Sequence, residues 1–171
     1  HPGRRRPAFR AGEDGRGRPI YDWSIVDGIF DAYLKQGVKP FVQIGFMPEA
    51  LSIHPFPYQH DWKPGVPSDL FTGWSYQPKD YAKWRELVFQ WAKHCGERYG
   101  IKEAESWWWE VWNEPDIGYW KGTPDEYYKL YDFAMAGVRR ALPNARVGGP
   151  HSTSPRNPRA AKFLRDFLEH C

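Results

Sequence analysis

The sequence predicts an α/β fold in which successive βα units build a parallel sheet. Amphipathic and apolar stretches alternate as helix, strand, helix, strand, helix, strand, helix along the 171 residues. The most apolar of the strand candidates, Trp107-Trp108-Trp109-Glu110-Val111-Trp112, stops abruptly at Asn113-Glu114-Pro115-Asp116. A proline there ends the strand and delivers a carboxylate to the loop that follows it. In parallel α/β folds the loops at that end of the strands carry the chemistry.

The elements follow in order. Residues 1–20 are rich in Gly, Pro and Arg and are expected to be irregular or disordered. Ile25, Val26, Ile29, Phe30, Tyr33 and Leu34 recur at helical spacing between Trp23 and Lys35, with Asp22 as cap and Gly37 as stop. Val38 to Phe46 reads as a strand ending at Met47-Pro48-Glu49. Residues 48–77 form a long loop crowded with Pro, Trp, Tyr and His, of a length usually functional or mobile. In it Trp62 and Trp74 are candidates to line a binding cleft, and packing of the loop onto the sheet is the equal alternative. Pro78 to Tyr99 is the clearest helix, its stripe running Tyr81, Trp84, Leu87, Val88, Trp91, Ala92, Cys95. Pro78 suits its first turn and Gly100 its end. Ser106 to Trp112 is the strand above. Thr123 caps a helix to about Leu142, with Pro124 at its first position and Glu126 completing a capping box. Ala145 to Gly149 is a short strand, and Asn157 or Pro158 to His170 a final amphipathic helix.

Glu114 alone carries little, since a strand-end Glu is usually solvated or ion-paired. Its neighbours change the reading. A carboxyl group held among tryptophans is expected to have a raised pKa, because burial disfavours the charged form. It can then give a proton to a leaving oxygen. Asn113 can donate to a sugar hydroxyl. Trp112 and Trp120 are expected to offer flat faces to a pyranose ring. If the strand is regular, Trp112, Glu110 and Trp108 share the face of Glu114. Glu110 is then a buried acid beneath the site that needs a hydrogen-bond or cationic partner, or must stay protonated. His151, after Gly148-Gly149-Pro150, sits at the next strand end, within reach of the pocket or on the surface.

Glu110 to Asp116 resembles the acid/base motif of retaining glycosidases. With Tyr21-Asp22-Trp23 through Phe30-Asp31, Pro40-Phe41-Val42 through Gly45-Phe46-Met47-Pro48, Pro78-Lys79-Asp80-Tyr81 through Trp84, and Gly148-Gly149-Pro150, the chain resembles glycoside hydrolase family 39, the β-xylosidases and α-L-iduronidases. The likeness covers about residues 20–171 and leans to the xylosidase branch. It implies an incomplete (β/α)8 TIM barrel of about three parallel strands, since a whole one takes roughly 250 residues. Residues 21–171 would then be a partial catalytic domain. The implied substrate is a xylo-oligosaccharide or aryl β-xyloside. The implied mechanism uses two carboxylates about 5–5.5 Å apart, with Glu114 as acid/base and Asn113 on the sugar 2-hydroxyl. In the resembling family the nucleophile ends a later strand, and no residue here matches that position. Glu49 lacks the surrounding motif, and Asp116 is too near Glu114 in sequence to face it across a substrate. The alternative is a non-catalytic half-barrel that binds sugar or merely folds.

Composition excludes other classes. A formal net charge of +3 implies neither a nucleic-acid nor a membrane partner. Arg4-Arg5-Arg6 and Arg10 read as a solvated run. The basic N-terminus has no apolar segment behind it, so no signal peptide is visible and a cytoplasmic location is slightly favoured. Two cysteines, Cys95 on a helix face and Cys171 at the end, suggest no disulfide framework. His54 and His60, near Asp61, lack the spacing of a known metal site, and no cofactor is expected. Three parallel strands leave two open edges, which invite pairing with more chain or self-association.

Overall fold

The structure, a computed structural model, describes residues 10–15, 19–56, 58–59 and 71–171. The chain divides into two compact units, residues 1–40 and 41–171.

In the first unit, β1 (Arg10–Glu13) pairs antiparallel with β2 (Pro19–Asp22), Arg10 opposite Asp22. This corrects the irregular reading for residues 10–13 and 19–20. Main-chain groups form the ladder, so a segment without a hydrophobic strand pattern can still pair. Helix α1 (Ser24–Lys35) follows, burying Val26 and Phe30. Trp23 occupies its cap position, and the Asp22 carboxylate instead accepts from Ser24 N–H at 3.0 Å.

In the second unit, β3 (Phe41–Ile44), β6 (Trp108–Val111) and β7 (Arg146–Gly148) form a parallel sheet in the order β3-β6-β7. The register places Phe41, Trp108 and Arg146 in one row and Gln43, Glu110 and Gly148 two residues on. Alternation sorts the two faces. Val42, Ile44, Trp109 and Val111 are each at most 1% exposed, whereas Phe41, Gln43 and Trp108 are exposed. The Arg146 guanidinium lies over the Trp108 ring at 4.9 Å on this open face. Within the long loop, β4 (Tyr58–Gln59) pairs antiparallel with β5 (Phe71–Gly73).

The buried face packs on helices. α2 (Tyr81–Tyr99) turns Trp84, Leu87, Val88, Trp91, Ala92 and Cys95 inward, the stripe read from the sequence. It begins at the Asp80 cap, whose carboxylate accepts from Ala82 and Lys83 N–H, and not at Pro78. Pro78 is spent on a bridge to Ser52. A short helix α3 (Ile101–Ser106) follows Gly100; the sequence reading did not foresee it, since six residues show too little of a helical period. Trp109 meets Trp91 edge-on and donates from Nε1 to Ala104 O at 3.0 Å. α4 (Pro124–Ala141) starts at the expected capping box, Glu126 Oε2 accepting from Thr123 N–H at 2.7 Å. α5 (Pro158–His170) is capped by Asn157.

Gly137 is where α4 crosses α2 most tightly. A Cβ there would lie 2.7 Å from Arg85 O and 3.1 Å from Phe89 N, both main-chain atoms. Alanine favours a helix over glycine by about 1 kcal/mol. Gly137→Ala is nonetheless expected to destabilise by about 1–3 kcal/mol, because the helices must move apart. Urea unfolding reads this, and a gain in stability would show that the crossing is loose.

Candidate active site

The central strand ends under control of its neighbours. Tyr127, on α4, donates its hydroxyl to Val111 O at 2.9 Å, and burial holds this phenol well above its ordinary pKa. Trp112 N–H extends the ladder by donating to Ile44 O at 2.9 Å. There the backbone leaves the strand: Trp112 and Glu114 take φ of 71° and 47°. The left-handed region disfavours side chains by roughly 1–2 kcal/mol per residue, and such outliers gather at functional sites.

That turn overturns the expected strand parity. Trp108 and Glu110 share the open face, but Trp112 swings away and is fully buried. Its indole donates to Tyr119 O at 3.0 Å and meets Phe46 and Trp120 edge-on, each at 5.2 Å. Gly45 lies against it, with room for no more than a hydrogen: a Cβ would sit 3.0 Å from Trp112 Cε3. Trp120 is also buried, its Nε1 donating to Thr123 O at 2.9 Å. The expected sugar platforms at Trp112 and Trp120 are therefore core residues, because the left-handed turn folds them into the loop's own aromatic cluster.

The polar residues do converge. Glu114 is half-buried, and its N–H donates to His151 O at 2.8 Å, tying the loops after β6 and β7 together. Its carboxylate takes no hydrogen bond or ion pair among the described residues. Asn113, also half-buried, accepts at Oδ1 from Gln43 Nε2 at 3.4 Å. The same nitrogen lies 3.3 Å from Glu110 Oε2. His151 is exposed, yet its Nδ1 lies 3.2 Å from that Glu110 oxygen. Glu110 thus has the partners its position demanded. Gln43 was missed, although its signal was available: it is the polar residue of an apolar strand, on the alternate set that must face Glu110's side.

Asp116 fastens the two loops a second time. It is 3% exposed and accepts from Thr153 N–H at 3.0 Å and Thr153 Oγ1 at 2.5 Å. Asp116→Ala is expected to destabilise by about 1.5–3 kcal/mol, as loss of bonds to a charged group does. Faster hydrogen exchange at the Thr153 amide is expected with it, and unchanged exchange would separate Asp116 from loop order.

Trp74 is half-buried, its main chain bridged to Met47 at 3.0 and 3.2 Å, beside the end of β3. Its Nε1 is buried without a hydrogen-bond partner among the described residues. Trp62, His60 and Asp61 lie outside the described residues. Glu49 is exposed on the turn after Pro48. Among the described residues no group of three or more His, Cys, Asp or Glu could hold a metal, and no helix is long and apolar enough to cross a membrane. An open groove of 380 Å³ on α5, lined by Ala161, Leu164 and Leu168, includes none of the strand-end residues.

Parallel strands followed by helices, with polar side chains gathered at their C-terminal ends, are the layout of a partial (β/α)8 barrel. The chain belongs to glycosyl hydrolases family 39, whose sequence profile matches residues 7–171. It is 37% identical over 160 residues to a β-xylosidase of Geobacillus stearothermophilus, covering 92% of this chain and 29% of that protein. It is 34% identical over 110 residues to the α-L-iduronidase of Canis lupus familiaris, covering 63% of this chain and 16% of that one. A crystal structure of a monomeric β-xylosidase from Caulobacter crescentus CB15 superposes with a TM-score of 0.76 at 33% identity, covering 94% of this chain and 29% of that one. The chain thus spans less than a third of the length of these relatives.

Proposed function

We propose that this chain supplies the acid/base side of a retaining, β-xylosidase-type glycoside hydrolase site. Glu114 protonates the departing oxygen and then activates water, Asn113 holds the sugar 2-hydroxyl, and His151 and Trp74 border the pocket. One observation carries the reading: at the end of the central strand a half-buried carboxylate is left unbonded among the described residues beside Asn113, while Glu110 and Asp116 are engaged. Xyloside is preferred to iduronide because the xylosidase relative matches nearly the whole chain and the iduronidase a shorter part.

The same geometry supports placing the nucleophile beyond these residues. Glu110 is held by Gln43 and His151, and Asp116 by Thr153, so neither is free to attack a sugar. In this reading the open edges of β3 and β7 receive further parallel strands of a longer polypeptide. The second reading, a half-barrel that binds sugar without turnover, rests on that same engagement of Glu110 and Asp116. Hydrolysis of an aryl β-xyloside decides between them. Turnover by the full polypeptide that carries this chain, lost in Glu114→Gln, supports the hydrolase. Xylose binding without turnover supports the half-barrel.

A further inference from the structure

Gln43 has no part in the acid/base chemistry, yet it sits between the two groups that surround it. Its amide nitrogen is 3.3 Å from Glu110 Oε2 and 3.4 Å from Asn113 Oδ1. The Glu110 oxygen accepts this bond, so the end of Gln43 that faces Glu110 is its NH2. Both hydrogens of that NH2 are then directed at oxygens, one on Glu110 and one on Asn113. Glu110 is itself steadied by His151 Nδ1 at 3.2 Å.

This has a consequence for Asn113. A side-chain amide has one accepting and one donating end, and turning it over exchanges them. With Gln43 presenting a donor, Asn113 must turn its oxygen inward. The opposite setting would put two NH2 groups face to face. The nitrogen of Asn113 is therefore directed outward, and it has no partner among the described residues. The main chain gives Asn113 little other freedom, since Trp112 and Glu114 on either side are both held in left-handed turns.

We infer that Gln43 is a positioning residue: held by Glu110, it sets the amide of Asn113 so that its NH2, not its oxygen, meets the substrate. The inference rests on the hydrolase reading above. A sugar 2-hydroxyl whose own hydrogen points to the opposing carboxylate needs a donor on its other side, and the outward NH2 is that donor. The contact strengthens as the transition state forms, so it acts on kcat more than on KM.

The test is Gln43→Met, which keeps the length of the side chain and removes its donors. Position 43 is exposed, and Glu110 keeps His151, so the fold is retained. In the full polypeptide, kcat on a nitrophenyl β-xyloside is expected to fall about tenfold with KM within about twofold. On the matching 2-deoxy glycoside, which lacks the hydroxyl, the substitution is expected to change kcat by less than about twofold. In 15N spectra the Asn113 side-chain NH2 signals are expected to move. Equal losses on both substrates, no loss on either, or an unmoved Asn113 amide would each overturn the inference. Glu114→Gln controls for the parent reading, since it is expected to disable both substrates. If the unaltered polypeptide hydrolyses neither glycoside, the hydrolase reading falls and the role of Gln43 falls with it.

Discussion

In the longer polypeptide that the proposed function places around this chain, Glu114→Gln is expected to lower kcat on an alkyl β-xyloside by a factor of about 10²–10⁴, the usual contribution of a positioned general acid or base. Glutamine keeps the shape and removes the proton. The carboxylate has no structural bond among the described residues, so the fold is expected to tolerate the change. The loss should depend on the leaving group. An alkoxide cannot depart without a proton, whereas a dinitrophenolate can. A dinitrophenyl β-xyloside should therefore keep most of its first-step rate and stall at the second. There the missing base slows water, and a glycosyl-enzyme accumulates with a burst and a lowered KM. A uniform loss across leaving groups would point to a nucleophile or to a damaged fold, and would remove Glu114 from the acid/base role.

Trp112→Ala is expected to destabilise by about 3–5 kcal/mol, as large aromatic truncations in cores do. The fold as a whole is worth only about 5–15 kcal/mol. The indole is fully buried and packs edge-on against Phe46 and Trp120. Its removal also leaves Tyr119 O without a donor. Urea unfolding with near-ultraviolet circular dichroism measures the effect. Trp112→Phe keeps most of the ring contact and should lose less, about 1–2 kcal/mol, mainly from the absent hydrogen bond. Unchanged stability with sugar binding lost would restore Trp112 as a sugar platform.

Much of this was legible in the chain because the signals are local. The Thr123 capping box, the α2 stripe from Trp84 to Cys95 and the apolar central strand each lie within a few residues. Each came out where the sequence placed it. The place of Glu114 past a strand end was legible for the same reason, since Asn113 and Glu114 adjoin an apolar run that reads as a strand. What misled was the assumption of regular alternation past Val111. Strand parity holds only while the backbone stays extended, and Trp112 leaves that region at φ 71°. Two tryptophans expected on a sugar belong to the core in consequence.

Sequence alone determined the family, the three parallel strands and the place of Glu114 just past the central strand, because periodicity, turn residues and an Asn-Glu-Pro boundary are properties of neighbouring positions. Only the tertiary structure decided which face each tryptophan took, that Thr153 holds Asp116, and that Gln43 stands between Glu110 and Asn113 across 67 and 70 residues of chain. Contacts of that kind depend on how strands lie side by side and how a loop turns, and neither is encoded at any one place along the chain.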